Sequence, residues 1–193
     1  SRSDSGAINL GATSDTIAEI INSSKARNRK SICFITGVPG AGKTLAGLNI
    51  ANERHNIDEG EHAVFLSGNG PLVEVLQEAL ARNEVSEKKG TKQQITKNQA
   101  LIKTKAFIQN IHHFRDEGLI SEKSPTEKVV VFDEAQRAWT EKQASSFMIR
   151  KKGVSDFSYS EPHFLIEVMN RHTDWCSIIC LVGGGQEINT GEA

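Results

Sequence analysis

Long apolar runs are absent from this sequence of 193 residues. No stretch approaches the roughly 18 consecutive apolar residues that indicate a membrane-spanning helix. The polar start, residues 1–6, has the composition of neither a signal peptide nor a transit peptide. An excess of charge is also absent, since 23 basic and 24 acidic residues give a net charge of −1. Any surface for nucleic acid would therefore have to be local, and we expect a cytoplasmic protein with no membrane partner.

Cysteine is scarce, with three in the whole chain. Cys33, Cys176 and Cys180 lie in apolar, strand-like runs, where a free thiol behaves as a small buried hydrophobe. His172 precedes Cys176 by four residues, and Cys180 follows at the same spacing. Residues four apart on a strand are about 13 Å apart, too far to share one metal ion. We therefore expect three core thiols and no metal site.

The length and a hydrophobic content of 37% are sufficient for one domain with a sizeable core. The chain begins without Met and stops at Ala193, soon after a predicted strand. We therefore expect a fragment of a longer protein.

One segment matches the pattern G-x-x-x-x-G-K-[ST] and follows an apolar run at 31–36. Its glycines let backbone N–H groups turn inward around an anion, while the lysine reaches the β- and γ-phosphates and the threonine binds Mg²⁺. A helix-compatible stretch follows at once, as a phosphate-binding loop requires. The predicted nucleotide-binding residues are Gly37, Val38, Pro39, Gly40, Ala41, Gly42, Lys43, Thr44 and Leu45.

Strand-like and helix-like segments alternate along the chain. Apolar runs predict strands at 31–36, 63–67, 128–133 and 175–182, and helical spacing is found at 43–54, 71–82 and 161–172. This order predicts an α/β fold of the P-loop NTPase class, a RecA-like parallel sheet with helices on both faces. We assign residues 31–193 to this domain. Residues 1–30 are predicted to be a flexible lead, to about residue 12, and a short helix from Ser14.

A second motif, which is acidic, completes the predicted nucleotide site. Asp133 ends the run 128–133 and Glu134 follows it, where a parallel sheet places its ligand-facing residues. Asp133 is predicted to hold Mg²⁺, and Glu134 to orient and deprotonate the attacking water. No [NT]-K-x-D signature for guanine is present, so ATP is favoured over GTP. Gln186 follows the last predicted strand and is expected to sense the γ-phosphate.

Residues 88–115 carry six lysines and one arginine but no Asp or Glu. Leu101, Ile108 and Ile111 have helical spacing, so we predict a basic helical insertion at about 84–127. Two interpretations stay open. The lysines are either the solvated face of a helix or a nucleic-acid surface on which Lys97, Lys103 and Lys105 contact phosphates.

Four segments, taken together and in order, resemble superfamily 1 helicases, specifically the bacterial Schlafen-like helicase-domain family. They are 37–44, 65–73, 131–137 and 181–187, and the resemblance covers about residues 31–191. It implies that Lys43 and Thr44 act in motif I, and Asp133 and Glu134 in motif II. It further implies that motif Ia, touching single-strand phosphates, contains Ser67 and Asn69, and that motif III, coupling the γ-phosphate to the strand, contains Gln186.

The resemblance implies the ATP-binding motor domain of a DNA or RNA helicase or translocase. Such a domain hydrolyses ATP with Mg²⁺ when completed by a second RecA-like domain, here beyond the chain end, and binds single-stranded nucleic acid. The sequence departs from the family in two places. No glutamine precedes Gln77, so the residue that reads adenine is missing, and Gly184 stands where motif III usually has Asp.

Two other functions fit the same motifs. An AAA-type remodelling ATPase also carries G-x-P-G-x-G-K-T, and a nucleotide-gated binding module would order a loop for a partner with little turnover.

Overall fold

The computed structural model describes residues 2–37, 42–57, 60–134 and 161–183. Within these ranges the strands are β1 (Lys30–Gly37), β2 (Val64–Ser67), β3 (Ile108–Asn110), β4 (Val129–Phe132) and β5 (Cys176–Gly183). The helices are α1 (Arg2–Ala26), α2 (Lys43–Ile57), α3 (Gly70–Lys88), α4 (Lys97–Phe107), α5 (Ile111–Ile120) and α6 (Glu161–Asn170).

All five strands form one parallel sheet in the order β1-β5-β4-β2-β3. The register pairs Lys30 with Cys176 at one end of β1 and Gly37 with Gly183 at the other. β2 and β4 are buried along their whole length, as the continuous apolar runs predict for strands covered on both faces. The predicted α/β class with a parallel sheet is confirmed.

Two hydrophobic clusters cover the two faces of the sheet. Successive side chains of a strand point to opposite faces, so Val129 and Val131 join one cluster while Val130 and Phe132 join the other. Residues of α1 to α4 complete the first cluster, and residues of α5 and α6 complete the second. The nucleotide motifs lie at the edge where the strands end.

Helix α1 is longer than the sequence predicts. It begins at Arg2, whereas a flexible lead is expected as far as residue 12 and a helix from Ser14. Residues 2–26 contain no proline, so a helix that forms at the later turns can propagate back along the segment. Ile17 and Ile21, in the part of α1 that the sequence predicts as a helix, are fully buried.

The prediction of one basic helical insertion at 84–127 is wrong. The segment instead contains the end of α3, then α4, β3 and α5, and β3 is the edge strand of the main sheet. Ile108 pairs with Phe65 and is fully buried, so pairing with β2 overrides the helical spacing. Asn110 then begins α5, because its side-chain oxygen accepts a hydrogen bond from the His112 amide at 2.9 Å.

The three thiols are free, with Cys176 and Cys180 buried and Cys33 half-buried. His172 is held by a 2.8 Å hydrogen bond between its Nε2 and the Glu127 carbonyl oxygen. No helix in the described ranges is both long and apolar enough to cross a membrane.

Candidate nucleotide site

The ends of the predicted phosphate loop lie at the carboxyl edge of the sheet. β1 ends at Gly37 and α2 begins at Lys43, which is the order of strand, loop and helix that phosphate binding needs. Gly42 has a φ of +77°, a conformation that glycine adopts without strain. The other predicted loop residues, Val38, Pro39, Gly40 and Ala41, lie outside the described part of the chain.

Lys43 bridges the two ends of this loop. Its Nζ donates a 2.7 Å hydrogen bond to the carbonyl oxygen of Gly37. The ammonium group therefore lies beside Gly37, where β1 ends. Leu45, two residues along α2, has an exposed side chain.

Thr44 and Asp133 meet although 89 residues separate them in the sequence. The Thr44 hydroxyl donates to Asp133 Oδ1 over 3.1 Å. Thr44 is in the first turn of α2, and Asp133 directly follows β4. The parallel sheet, by putting β1 and β4 in the same direction, brings the two motifs to one edge.

Asp133 is an under-satisfied buried acid. Its relative exposure is 3%, and its second oxygen, Oδ2, is buried with no hydrogen-bond partner. Burial raises the pKa of Asp133, and the charge of Glu134 raises it too, while the Thr44 hydroxyl, the backbone of Glu134 and the charge of Lys43 lower it. A buried carboxylate with an orphan oxygen is suited to receive a cation.

This donor set fits magnesium. Mg²⁺ prefers oxygen ligands and is usually held by one or two protein groups together with phosphates and waters. Thr44 Oγ1 and Asp133 Oδ2 are such oxygens. Among the described residues, no group of three or more His, Cys, Asp or Glu side chains could hold a metal by itself. An ion here would therefore need ligands from a bound nucleotide.

Glu134 follows Asp133 in a strained backbone conformation. Its φ is +53°, which is uncommon for a residue with a side chain and is often found at functional sites. The Asp133 amide also donates to the Leu66 carbonyl oxygen at 2.9 Å, which fixes this turn to the end of β2.

Ser67, the last residue of β2, and Asn69, in the turn after β2, lie beside the nucleotide motifs. Ser67 is buried, and its hydroxyl accepts a 3.2 Å hydrogen bond from the Asn69 amide. The Asn69 side-chain oxygen caps α3 by accepting from the Leu72 amide at 3.2 Å. Asn69 itself is exposed, so of the two side chains it is the more accessible one.

The three predicted phosphate-binding lysines of α4 differ in their partners. Lys97 forms a 2.6 Å ion pair with Glu78, and Lys103 forms a 2.7 Å ion pair with Glu84. Lys105 is exposed and lines an open cleft of about 470 Å³ between α3 and α5. Gln186, the predicted γ-phosphate sensor, lies outside the described residues.

Sequence reasoning missed two residues near this edge. Asn110 caps α5 next to the turn of Asn69, and its Nδ2 lies 3.6 Å from the position of a methyl group on Gly70. An Asn immediately before the first apolar residue of a helix, as Asn110 is before Ile111, is a capping signal, but the expected continuous helix concealed it. Gly47 of α2 packs directly on the sheet, and no pattern in the sequence marks it.

Residues 30–193 match the family described as Schlafen group 3, DNA/RNA helicase domain. No curated protein gives a significant match. One similar solved structure is the Hef helicase domain of Pyrococcus furiosus, at 19% sequence identity and a TM-score of 0.46. The alignment covers 86% of this chain but 32% of the Hef chain, so this chain spans about a third of that protein's length. By its family match, the chain belongs to the Schlafen group 3 DNA/RNA helicase domains.

Proposed function

We propose that the chain is the ATP-binding motor domain of a DNA or RNA helicase or translocase, which hydrolyses ATP with Mg²⁺ when a second RecA-like domain completes it. One observation carries the nucleotide site. The Thr44 hydroxyl lies 3.1 Å from Asp133 Oδ1, and the buried Oδ2 of the same carboxylate has no hydrogen-bond partner.

Phosphate binding is assigned to the loop and the start of α2. Lys43 would exchange its bond to the Gly37 carbonyl for the β- and γ-phosphates, which are stronger acceptors because they are charged. The backbone N–H groups at the start of α2 favour an anion there. Gly37 to Leu45 are the proposed nucleotide-binding residues.

Thr44 and Asp133 are the proposed magnesium ligands. Bound Mg²⁺ would neutralise charge on the β- and γ-phosphates during transfer to water. Glu134 would accept the proton of the attacking water, and Gln186 would contact the γ-phosphate. The turn at Asp133, tied to Leu66 by a backbone hydrogen bond, supports a fixed position for the base.

Nucleic acid is assigned to the turn after β2 and to α4. Asn69 with Ser67, and Lys97, Lys103 and Lys105, are the proposed contacts to single-strand phosphates. The family is that of DNA/RNA helicase domains, which supports a nucleic-acid partner. Lys105 is the most available of the three lysines, because Lys97 and Lys103 already have carboxylate partners.

Replacement of the loop lysine tests the nucleotide site. Lys43→Ala should abolish measurable ATP binding in calorimetry with Mg²⁺, because the motif places no other side-chain cation on these phosphates. Lys92→Ala, an exposed lysine on the turn before α4, is the matched control and should bind normally. Unchanged affinity in Lys43→Ala would refute the site.

Turnover with and without single-stranded DNA or RNA separates the proposed motor from the other functions. A helicase-type motor, measured with its second domain, should turn over faster when the strand is present. An AAA-type ATPase would turn over without stimulation by nucleic acid. A nucleotide-gated binding module would bind ATP with little turnover in either condition.

A further inference from the structure

Gly47 lies in α2 where the helix crosses the middle of the sheet. A methyl group on its Cα would lie 2.7 Å from Val131 Cγ1 and 2.8 Å from Leu181 Cδ1. Carbon atoms in good contact are about 3.5–4.0 Å apart, so this space is already filled. Val131 and Leu181 are both fully buried. Any residue larger than glycine would push α2 away from β4 and β5 or displace these two buried side chains.

The same helix face carries Thr44. Gly47 follows Thr44 by three residues, so both point to one side of α2. Val131 precedes Asp133 by two residues, so both point to one side of the β4 segment. The contact of Gly47 with Val131 therefore lies next to the Thr44–Asp133 hydrogen bond, about one helical turn further along α2.

We infer that Gly47 is a positioning residue for the magnesium site. The missing side chain lets α2 lie close enough to β4 for the Thr44 hydroxyl to reach Asp133. Gly47 contacts neither nucleotide nor metal and acts only through the separation of helix and sheet. The inference rests on the proposed function, since it assumes that Thr44 and Asp133 hold Mg²⁺.

Gly118 provides a matched control on the other face of the sheet. A methyl group there would lie 2.7 Å from Val168 Cγ2, at the contact of α5 with α6. The shortest distance, 2.7 Å to a valine Cγ atom, is the same at Gly47 and Gly118. It involves neither α2 nor β4, so Gly118→Ala should disturb packing without disturbing the Thr44–Asp133 pair.

The test compares ATP affinity with Mg²⁺ and with EDTA in the 193-residue chain, by calorimetry. Gly47→Ala should weaken binding with Mg²⁺ by about tenfold to a hundredfold, the usual effect of losing support behind a metal ligand. Binding with EDTA should change much less. Gly118→Ala should keep the wild-type ratio of the two affinities.

A double variant covers the case in which Gly47→Ala does not fold. Val131→Ala removes the Cγ1 atom that the new methyl group would meet, and it leaves space into which Leu181 Cδ1, at the end of a flexible side chain, can move away from the same methyl group. Gly47→Ala/Val131→Ala should therefore have the Mg²⁺-dependent affinity of Val131→Ala alone. The inference is overturned if Gly47→Ala binds Mg·ATP normally, or loses both affinities equally. A folded double variant without this recovery would also overturn it. If the wild type lacks Mg²⁺-dependent ATP binding, the proposed function itself is wrong.

Discussion

Two buried carboxylates, at opposite ends of the parallel strands, differ in their hydrogen-bond partners. Glu61 and Asp133 are each 3% exposed. Near the amino ends of the strands, both oxygens of Glu61 accept hydrogen bonds from Arg54 at 3.2 and 3.3 Å, and Oε1 accepts another from Lys25 at 3.3 Å. At the carboxyl edge, Asp133 has the Thr44 hydroxyl on one oxygen and no partner on the other.

The difference separates a charge that is neutralised within the chain from a charge that is open to a ligand. Other charges at the amino edge are also paired within the chain, since Lys128 binds Asp174 and also lies with its Nζ 5.9 Å from the Trp175 ring centroid. A buried carboxylate without such partners is destabilising unless a ligand supplies the missing charge. Glu61 therefore stabilises the fold by joining α1 to α2, whereas Asp133 is suited to a ligand.

The largest effect is expected from breaking the network of Glu61, Arg54 and Lys25 near the amino ends of the strands. Glu61→Ala leaves Arg54 and Lys25 without their carboxylate, and removing one member of a buried ion pair costs about 3–5 kcal/mol. Asp133→Asn removes an under-satisfied charge and should leave the free energy of unfolding no lower than in the wild type. Urea denaturation of both variants measures the contrast. Equal destabilisation would mean that Asp133 is a structural residue.

The second prediction concerns the strained residue beside Asp133. Glu134→Gln keeps the shape of the side chain but removes the base, so ATP hydrolysis by the full-length protein should fall by about 100-fold. ATP affinity should persist, in contrast to Lys43→Ala. Steady-state turnover and calorimetry measure the two quantities. Loss of affinity in both variants would assign Glu134 a structural role.

A third prediction uses the pKa of Asp133, which burial raises. Because a raised folded pKa favours the protonated form, this group's contribution to the stability of the nucleotide-free fold decreases as pH rises from the ordinary aspartate value of about 3.9 through the raised one. Magnesium binding needs the ionised form, so Mg·ATP affinity should fall as pH drops through the same window.

Asp133→Asn is the control for this pH profile. The titration of the nucleotide phosphates is common to both proteins, so the difference between their affinity profiles isolates Asp133. Profiles of the same shape would contradict the assignment of Asp133 as a metal ligand.

The smallest expected effect concerns the lysines of α4. Replacing Lys97, Lys103 and Lys105 by Gln should reduce the salt slope of single-strand binding by about 0.7 for each phosphate contact, about 2 in total. Exposed ion pairs are worth only about 0–1 kcal/mol, so phosphates could displace Glu78 and Glu84. ATP affinity should not change.

Single replacement of Lys105 sharpens this test. If Lys97 and Lys103 remain with their carboxylates, Lys105→Gln alone would give the whole reduction. A slope unchanged in the triple variant would favour the solvated-face interpretation for all three lysines.

Most of the sheet could be predicted from local pattern. The runs that became β2 and β4 are almost entirely apolar, as strands buried on both faces are. The phosphate-loop motif also located the junction of β1 and α2, because few other functions need that arrangement of glycines with Lys and Thr.

The features that the sequence did not predict depend on distant partners. β3 is a strand because β2 pairs with it, and no local feature of its three residues announces this. The lysines of α4 could be counted in the sequence, yet the acids that neutralise two of them lie on α3. Burial and cross-helix pairing are properties of the packed chain.

The sequence by itself determined the fold class, the phosphate-loop motif and the acidic motif, because each is a local pattern of residue types. Only the tertiary structure decided that Thr44 meets Asp133, that Asp133 keeps an orphan oxygen and that Gly47 has no room for a side chain. These facts depend on distances between segments far apart in the chain. Such distances arise only when parallel strands and their helices pack together.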